Sequence, residues 1–235
     1  MKNVLINLTV ILTSLFLVLN TYIQSVYSEE VITIIPCSSN RNNQKFFDVP
    51  SYFIAKGEKI RWYNADDISH ELSITNSSGG KNIIGIVKAN GSFSLRSNSI
   101  GTYRFASPVF PWMHGNVTVT NDLSSATIAN PNNNVNVQLS WTPSVPKVGE
   151  LVHFKIIFIN KKTGRNQQHV DYVFSLVNPL NQTIYQQVLH SSWGVESASY
   201  SFHGAGVVIL KVTIDALLFQ PLEPVEDNFN LTVEN

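Results

Sequence analysis

Past residue 28, no stretch of this chain sets apolar side chains at the three-to-four-residue spacing of a helix; they alternate instead. Val152, Phe154, Ile156 and Phe158 show the pattern most clearly, and alternation puts all four on one face of an extended strand. Both halves of the chain therefore read as β. In the first half, runs rich in Val, Ile, Phe and Tyr predict strands over residues 31–35, 47–54, 58–64, 71–75, 92–95, 102–107 and 116–120, with Gly, Asn, Pro or Ser between them. In the second, Val135, Val137 and Leu139 lead to Trp141, and Asn178-Pro179-Leu180-Asn181 forms a turn between strands over 170–177 and 183–189. Short strands at this spacing predict sandwiches or Greek-key barrels. Residues 122–134 hold almost no large apolar side chain and read as a surface linker. The expected layout is a first β-domain over 29–122, a linker over 123–134 and a second β-sandwich over 135–235, each domain of ordinary size.

The N-terminus directs the chain out of the cytoplasm. Lys2 precedes an apolar run over residues 4–19, and Val26 and Ser28 suit the −3 and −1 positions of a cleavage site after Ser28. Residues 1–28 thus read as a secretory signal, with an uncleaved membrane anchor as the alternative because the run is long. Sixteen basic and sixteen acidic side chains leave no net field to hold nucleic acid, so polynucleotide partners are excluded. Asn-x-Ser/Thr triplets at Asn76, Asn90, Asn116, Asn181 and Asn230 make N-glycans an expectation in an exported chain. The single cysteine, Cys37, has no internal disulfide partner, so stability must come from core packing.

Two segments carry a family resemblance. The first is Phe47-Asp48-Val49-Pro50 with Lys56-Gly57-Glu58-Lys59-Ile60-Arg61-Trp62-Tyr63-Asn64 and the following Asp66-Asp67-Ile68-Ser69-His70. The second is Gly101-Thr102-Tyr103-Arg104-Phe105 with Pro111-Trp112-Met113-His114-Gly115-Asn116-Val117. Together they resemble the plastocyanin-like cupredoxins of the archaeal secreted type, over residues 31–121. The resemblance implies a Greek-key sandwich with one copper histidine, His70, in an upstream loop and three ligands in a downstream loop. It places the family's cysteine at Ser107, its second histidine at Phe110 and its axial methionine at Met113. Type 1 copper needs two imidazoles, a thiolate and a weak axial thioether, and a serine hydroxyl is too hard and too poorly ionised to replace the thiolate. His70 and Met113 alone survive, so the copper site reads as degenerate and no cofactor is expected. Copper on His70, Met113 and the adjacent His114 is the alternative, as a looser Cu(I) site. Cys37 lies at the end of the first strand and is no obvious substitute for the lost thiolate. Trp62 and Trp112 read as core or capping aromatics, and Val109, Phe110 and Trp112 as an apolar patch at the former copper end, where the family docks its partners.

In the second domain, residues 143–150 followed by the strand from Val152 resemble the opening of many immunoglobulin-like extracytoplasmic domains. A hairpin turning at 178–181 sets Asp171 opposite His190, with His169 diagonally adjacent. The three can form a Cu(II) or Zn(II) site or a solvated His–Asp pair. His153 alternates out of phase with Val152 and Phe154, which puts it with Lys155 on the outer face, and His203 reads as a loop residue. No nucleophile elbow, HExxH or phosphate-cradling glycine loop is present, so no enzyme is expected. The function expected is that of an extracytoplasmic cupredoxin-fold binding module contacting a protein partner, with copper handling as its rival.

Overall fold

A computed structural model describes residues 29–77, 82–128 and 134–235; the expected signal or anchor lies outside them. The described residues are all β, and no helix among them is long and apolar enough to cross a membrane. Strands β1 (Glu29–Ile34), β3 (Lys59–Asn64) and β6 (Ser92–Arg96) form one sheet in the order β1-β3-β6. It faces a second sheet in the order β2-β8-β7-β4-β5, made of β2 (Ser51–Ala55), β4 (His70–Asn76), β5 (Ile83–Val87), β7 (Gly101–Ala106) and β8 (His114–Thr120). The β1–β3 and β2–β8 pairs are parallel, and the chain passes from one sheet to the other and back between β1, β2 and β3. Trp62, Phe105, Phe47, Tyr52 and Leu72 fill the space between them; the Trp62 and Phe105 rings meet edge-on at 5.7 Å. Gly115 is required by this packing, because a Cβ there would collide with the Phe105 ring and sit 2.5 Å from the Pro50 carbonyl oxygen. Gly115→Ala is expected to cost about 1–3 kcal/mol by overpacking, measured by urea unfolding; an unchanged midpoint would contradict this contact.

The second sandwich pairs the sheet β14-β11-β10-β9 with the sheet β13-β12-β15-β16. Its strands are β9 (Ser124–Ile128), β10 (Val135–Thr142), β11 (Leu151–Asn160), β12 (Val170–Val177), β13 (Thr183–Ser191), β14 (Val195–Ser201), β15 (Gly206–Leu217) and β16 (Gln220–Val233). Val152, Phe154, Ile156 and Phe158 all point into its core, as their alternation predicts.

Two expectations are corrected. The segment read as a linker carries strand β9, antiparallel to β10 with Ile128 opposite Val137. Its Ala126 and Ile128 pack on the second core, but they are too few and too small to register as an apolar face in the sequence. Asp122, just before β9, accepts hydrogen bonds from the hydroxyl and amide of Ser144, which hold its carboxyl below the usual range. The second sandwich thus begins directly after the first. The other correction concerns Lys155, whose face is covered rather than outer: it is 3% exposed, and its ammonium lies 2.9 Å from Glu30 on β1. On the same face Ile157 and Val195 pack against the core of the first sandwich.

Candidate functional site

The end of the first sandwich is shaped by Asn64, the last residue of β3. Buried completely, its amide donates to the carbonyls of Ile68 (2.7 Å) and Val87 (3.0 Å), and its side-chain oxygen accepts from the amide of Asp66 (2.9 Å). These bonds curl the 65–69 loop and aim His70, the first residue of β4, into the domain, where it is 1% exposed. Asp66 Oδ2 lies 2.9 Å from His70 Nε2, and the carboxylate also accepts from the amides of Cys37, Ser38 and Asp67. Burial raises the Asp66 carboxyl, but the bond from His70 and the amides of Cys37 and Asp67 outweigh it and hold the group below its ordinary value. An ionised carboxylate only accepts, so the His70 proton sits on Nε2. Nδ1 of His70 is then the free nitrogen, and it is buried without a hydrogen-bond partner.

The downstream loop packs against the ring of His70. Ser107 is buried, and its hydroxyl oxygen accepts the Phe110 amide at 3.1 Å. The amide of Ser107 donates to the Met113 carbonyl (2.9 Å) and that of Met113 to the Phe110 carbonyl (2.8 Å), which makes a tight loop. Within it the Phe110 ring meets the His70 ring edge-on at 5.6 Å and packs on Trp112 at 5.6 Å. Trp112 Nε1 donates to the Ser38 carbonyl at 3.2 Å and ties this loop to the one after β1.

Of the residues singled out from the sequence, His70, Ser107, Phe110 and Met113 all belong to this end, and Met113 is fully buried. His114 does not join them. It opens β8 with an exposed ring whose Nδ1 lies 3.3 Å from the Pro111 carbonyl, because adjacent strand residues face opposite ways. Cys37 is exposed, in a turn after β1 with φ of 61°. Asp66, which fixes the His70 tautomer, escaped the sequence reading; an aspartate four residues before a loop histidine was its only signal.

The donor set does not fit type 1 copper. The orphaned His70 nitrogen and the Met113 thioether are two suitable donors, but the hydroxyl at 107 is already hydrogen-bonded and the phenyl ring at 110 offers none.

Neither a protein-family model nor a curated protein matches this sequence. Among solved structures, a novel purple cupredoxin from Nitrosopumilus maritimus is 21% identical, over 39% of this chain and 99% of its own, with a TM-score of 0.35. A Cu(I) form of an amicyanin mutant, one of its methionines replaced by alanine, is 20% identical, over 39% of this chain and 82% of its own, with a TM-score of 0.33.

In the second domain the expected register holds: Asp171 faces His190 across β12 and β13. His190 Nδ1 lies 2.5 Å from Asp171 Oδ1, and His190 Nε2 lies 3.4 Å from His169 Nδ1. The group is surface-accessible, with the side chains of His190 and Asp171 36% and 42% exposed. Among the described residues, no three His, Cys, Asp or Glu side chains converge as a metal-holding group. His153 bonds Ser199 Oγ at 2.8 Å, and His203 packs on Tyr200.

Proposed function

We propose that this chain is an extracytoplasmic, non-enzymatic binding module on a cupredoxin-type sandwich that has lost type 1 copper and acts by protein contacts. The supporting observation is the Phe110 ring seated against His70, with the Ser107 hydroxyl spent on the Phe110 amide. Type 1 copper needs a thiolate and an imidazole at those two positions, and a hydroxyl that already accepts a hydrogen bond and a phenyl ring supply neither. Beside the closed loop this end presents Val109, 61% exposed, with half-buried Phe110 and Trp112. Apolar side chains grouped at one end, on loops tied by Asn64 and Asp66, suit docking of a protein partner. Export rests on the signal-like residues 1–28, cleaved or kept as an anchor, and the second sandwich serves as its immunoglobulin-like companion. Exposed triplets at Asn90, Asn116, Asn181 and Asn230 would carry glycans, whereas Asn76 is half-buried. One observation favours the rival copper-handling reading, the orphaned His70 nitrogen; the outward turn of His114 weakens it.

Restoring the ligand set tests the site. Ser107→Cys with Phe110→His is expected to give a coloured Cu(II) centre, because His70 Nδ1 and Met113 already lie at this end. A folded double variant that binds Cu(II) without a visible thiolate band would contradict this assignment of the loop. For the docking face, a photo-crosslinking residue at position 109 should trap a partner protein in the native envelope. The same residue at Leu180, 79% exposed in the second domain, should not; equal trapping at both would count against the face.

A further inference from the structure

We propose that His169 and His190 hold a divalent cation of borderline softness, Zn(II), through Nδ1 of His169 and Nε2 of His190, with Asp171 positioning His190. This site lies in the second sandwich and stands independently of the reading of the first. Asp171 accepts the Nδ1 proton of His190 at 2.5 Å, which leaves the lone pair of that ring on Nε2. Nε2 in turn faces His169 Nδ1 at 3.4 Å. That separation is long for an N–H···N hydrogen bond. Two imidazole nitrogens at about 2.0–2.1 Å from a tetrahedral ion lie about 3.3–3.4 Å apart, so the rings already stand at the spacing Zn(II) requires. Imidazole suits this ion, and the partial exposure of His190 and Asp171 gives water access to the remaining coordination positions.

A second observation converges on the same place. The two-residue turn between β15 and β16 is Leu218-Phe219, with φ of 51° and 64°. A hairpin turn with both central residues at positive φ favours Asn and Gly, and bulky side chains there carry backbone strain. His169 is also held at positive φ, 51°, and its carbonyl accepts the Leu218 amide at 2.7 Å. The strained turn lays the Phe219 ring against both imidazoles, 4.5 Å from His169 and 5.7 Å from His190, stacked on the latter within 14°. Strain gathered around one pair of rings marks a place where geometry is kept for use. Phe219 packs on both rings and limits their rotation.

Calorimetric titration of the metal-stripped full chain with Zn(II) alone tests the site. One Zn(II) per chain is expected. His169→Ala and His190→Ala should each weaken binding at least about tenfold and Asp171→Asn by about 10–100-fold, while His153→Ala and His203→Ala leave it unchanged. In the unmodified chain, long-range proton–nitrogen NMR should show Zn(II) shifting Nε2 of His190 and Nδ1 of His169, with Nδ1 of His190 still protonated. Absence of saturable binding up to about 1 mM Zn(II), an equal loss in His153→Ala, or a metal shift at Nδ1 of His190 would each overturn the proposal.

Discussion

Lys155→Ala is expected to destabilise the chain by about 3–5 kcal/mol, the usual consequence of leaving one member of a buried ion pair alone. Glu30 would be the stranded group: it is 9% exposed, with its carboxylate 2.9 Å from the Lys155 ammonium. The ammonium also donates to the Phe53 carbonyl at 3.4 Å and sits 5.8 Å and 5.5 Å from the Tyr52 and Phe53 ring centres. The pair joins β1 of one sandwich to β11 of the other, so the loss should appear as uncoupled unfolding of the two domains as well as a lower midpoint. Combining Lys155→Met with Glu30→Gln should recover most of the stability, because two neutral groups leave no buried charge without a partner. Denaturant unfolding of the single and double variants supplies the cycle. Single-variant losses under about 1 kcal/mol would mean that water reaches the pair.

The second large effect is a pH dependence centred on Asp48. Burial pushes its carboxyl up to about 7, against hydrogen bonds from the Val49 and Thr33 backbone amides. The folded chain therefore keeps a proton that the unfolded chain releases near the ordinary 3.8. The contribution of this group to stability is complete below about pH 4 and is lost as pH rises to about 7, a fall on the order of 4 kcal/mol. The Tyr52 hydroxyl lies 2.9 Å from the Val31 carbonyl and 3.4 Å from Asp48 Oδ2, so an amide at position 48 can replace the protonated acid and donate to the phenol oxygen. Asp48→Asn should flatten the stability profile between about pH 4 and 7 and exceed the parent above it. An unchanged slope across that window would show that Asp48 ionises freely in the folded chain.

Alternation carried most of the fold, because inward side chains of a sandwich must be apolar and their neighbours need not be. The misses have physical causes. Residues 83–87 form an edge strand in which Ile84 and Ile86 are 60% and 66% exposed, and Gly85 lies under the Phe93 ring, so no polar face marks it. Strand β9 lays only two apolar side chains, the half-buried Ala126 and Ile128, on the second core. Lys155 was legible as lying opposite the core face of its strand, but only tertiary structure shows the other sandwich covering it.

The site divided along similar lines. The positions of Ser107, Phe110 and Met113 follow from a motif in one short loop, and the Asp171–His190 pairing follows from a hairpin whose turn was readable. Asp66 and the Leu218-Phe219 turn were not readable. The first acts across a loop on a ring whose orientation only folding fixes, and the second departs from the residues its turn type favours.

The central claim is that the end of the first sandwich is closed to type 1 copper. It is tested most directly by titrating the unmodified full chain with Cu(II) while recording visible and EPR spectra. No intense thiolate-to-copper band should develop, and any bound Cu(II) should give the EPR signal of ordinary nitrogen and oxygen ligation. An intense visible band that disappears in the His70→Ala or Cys37→Ser variant would contradict it.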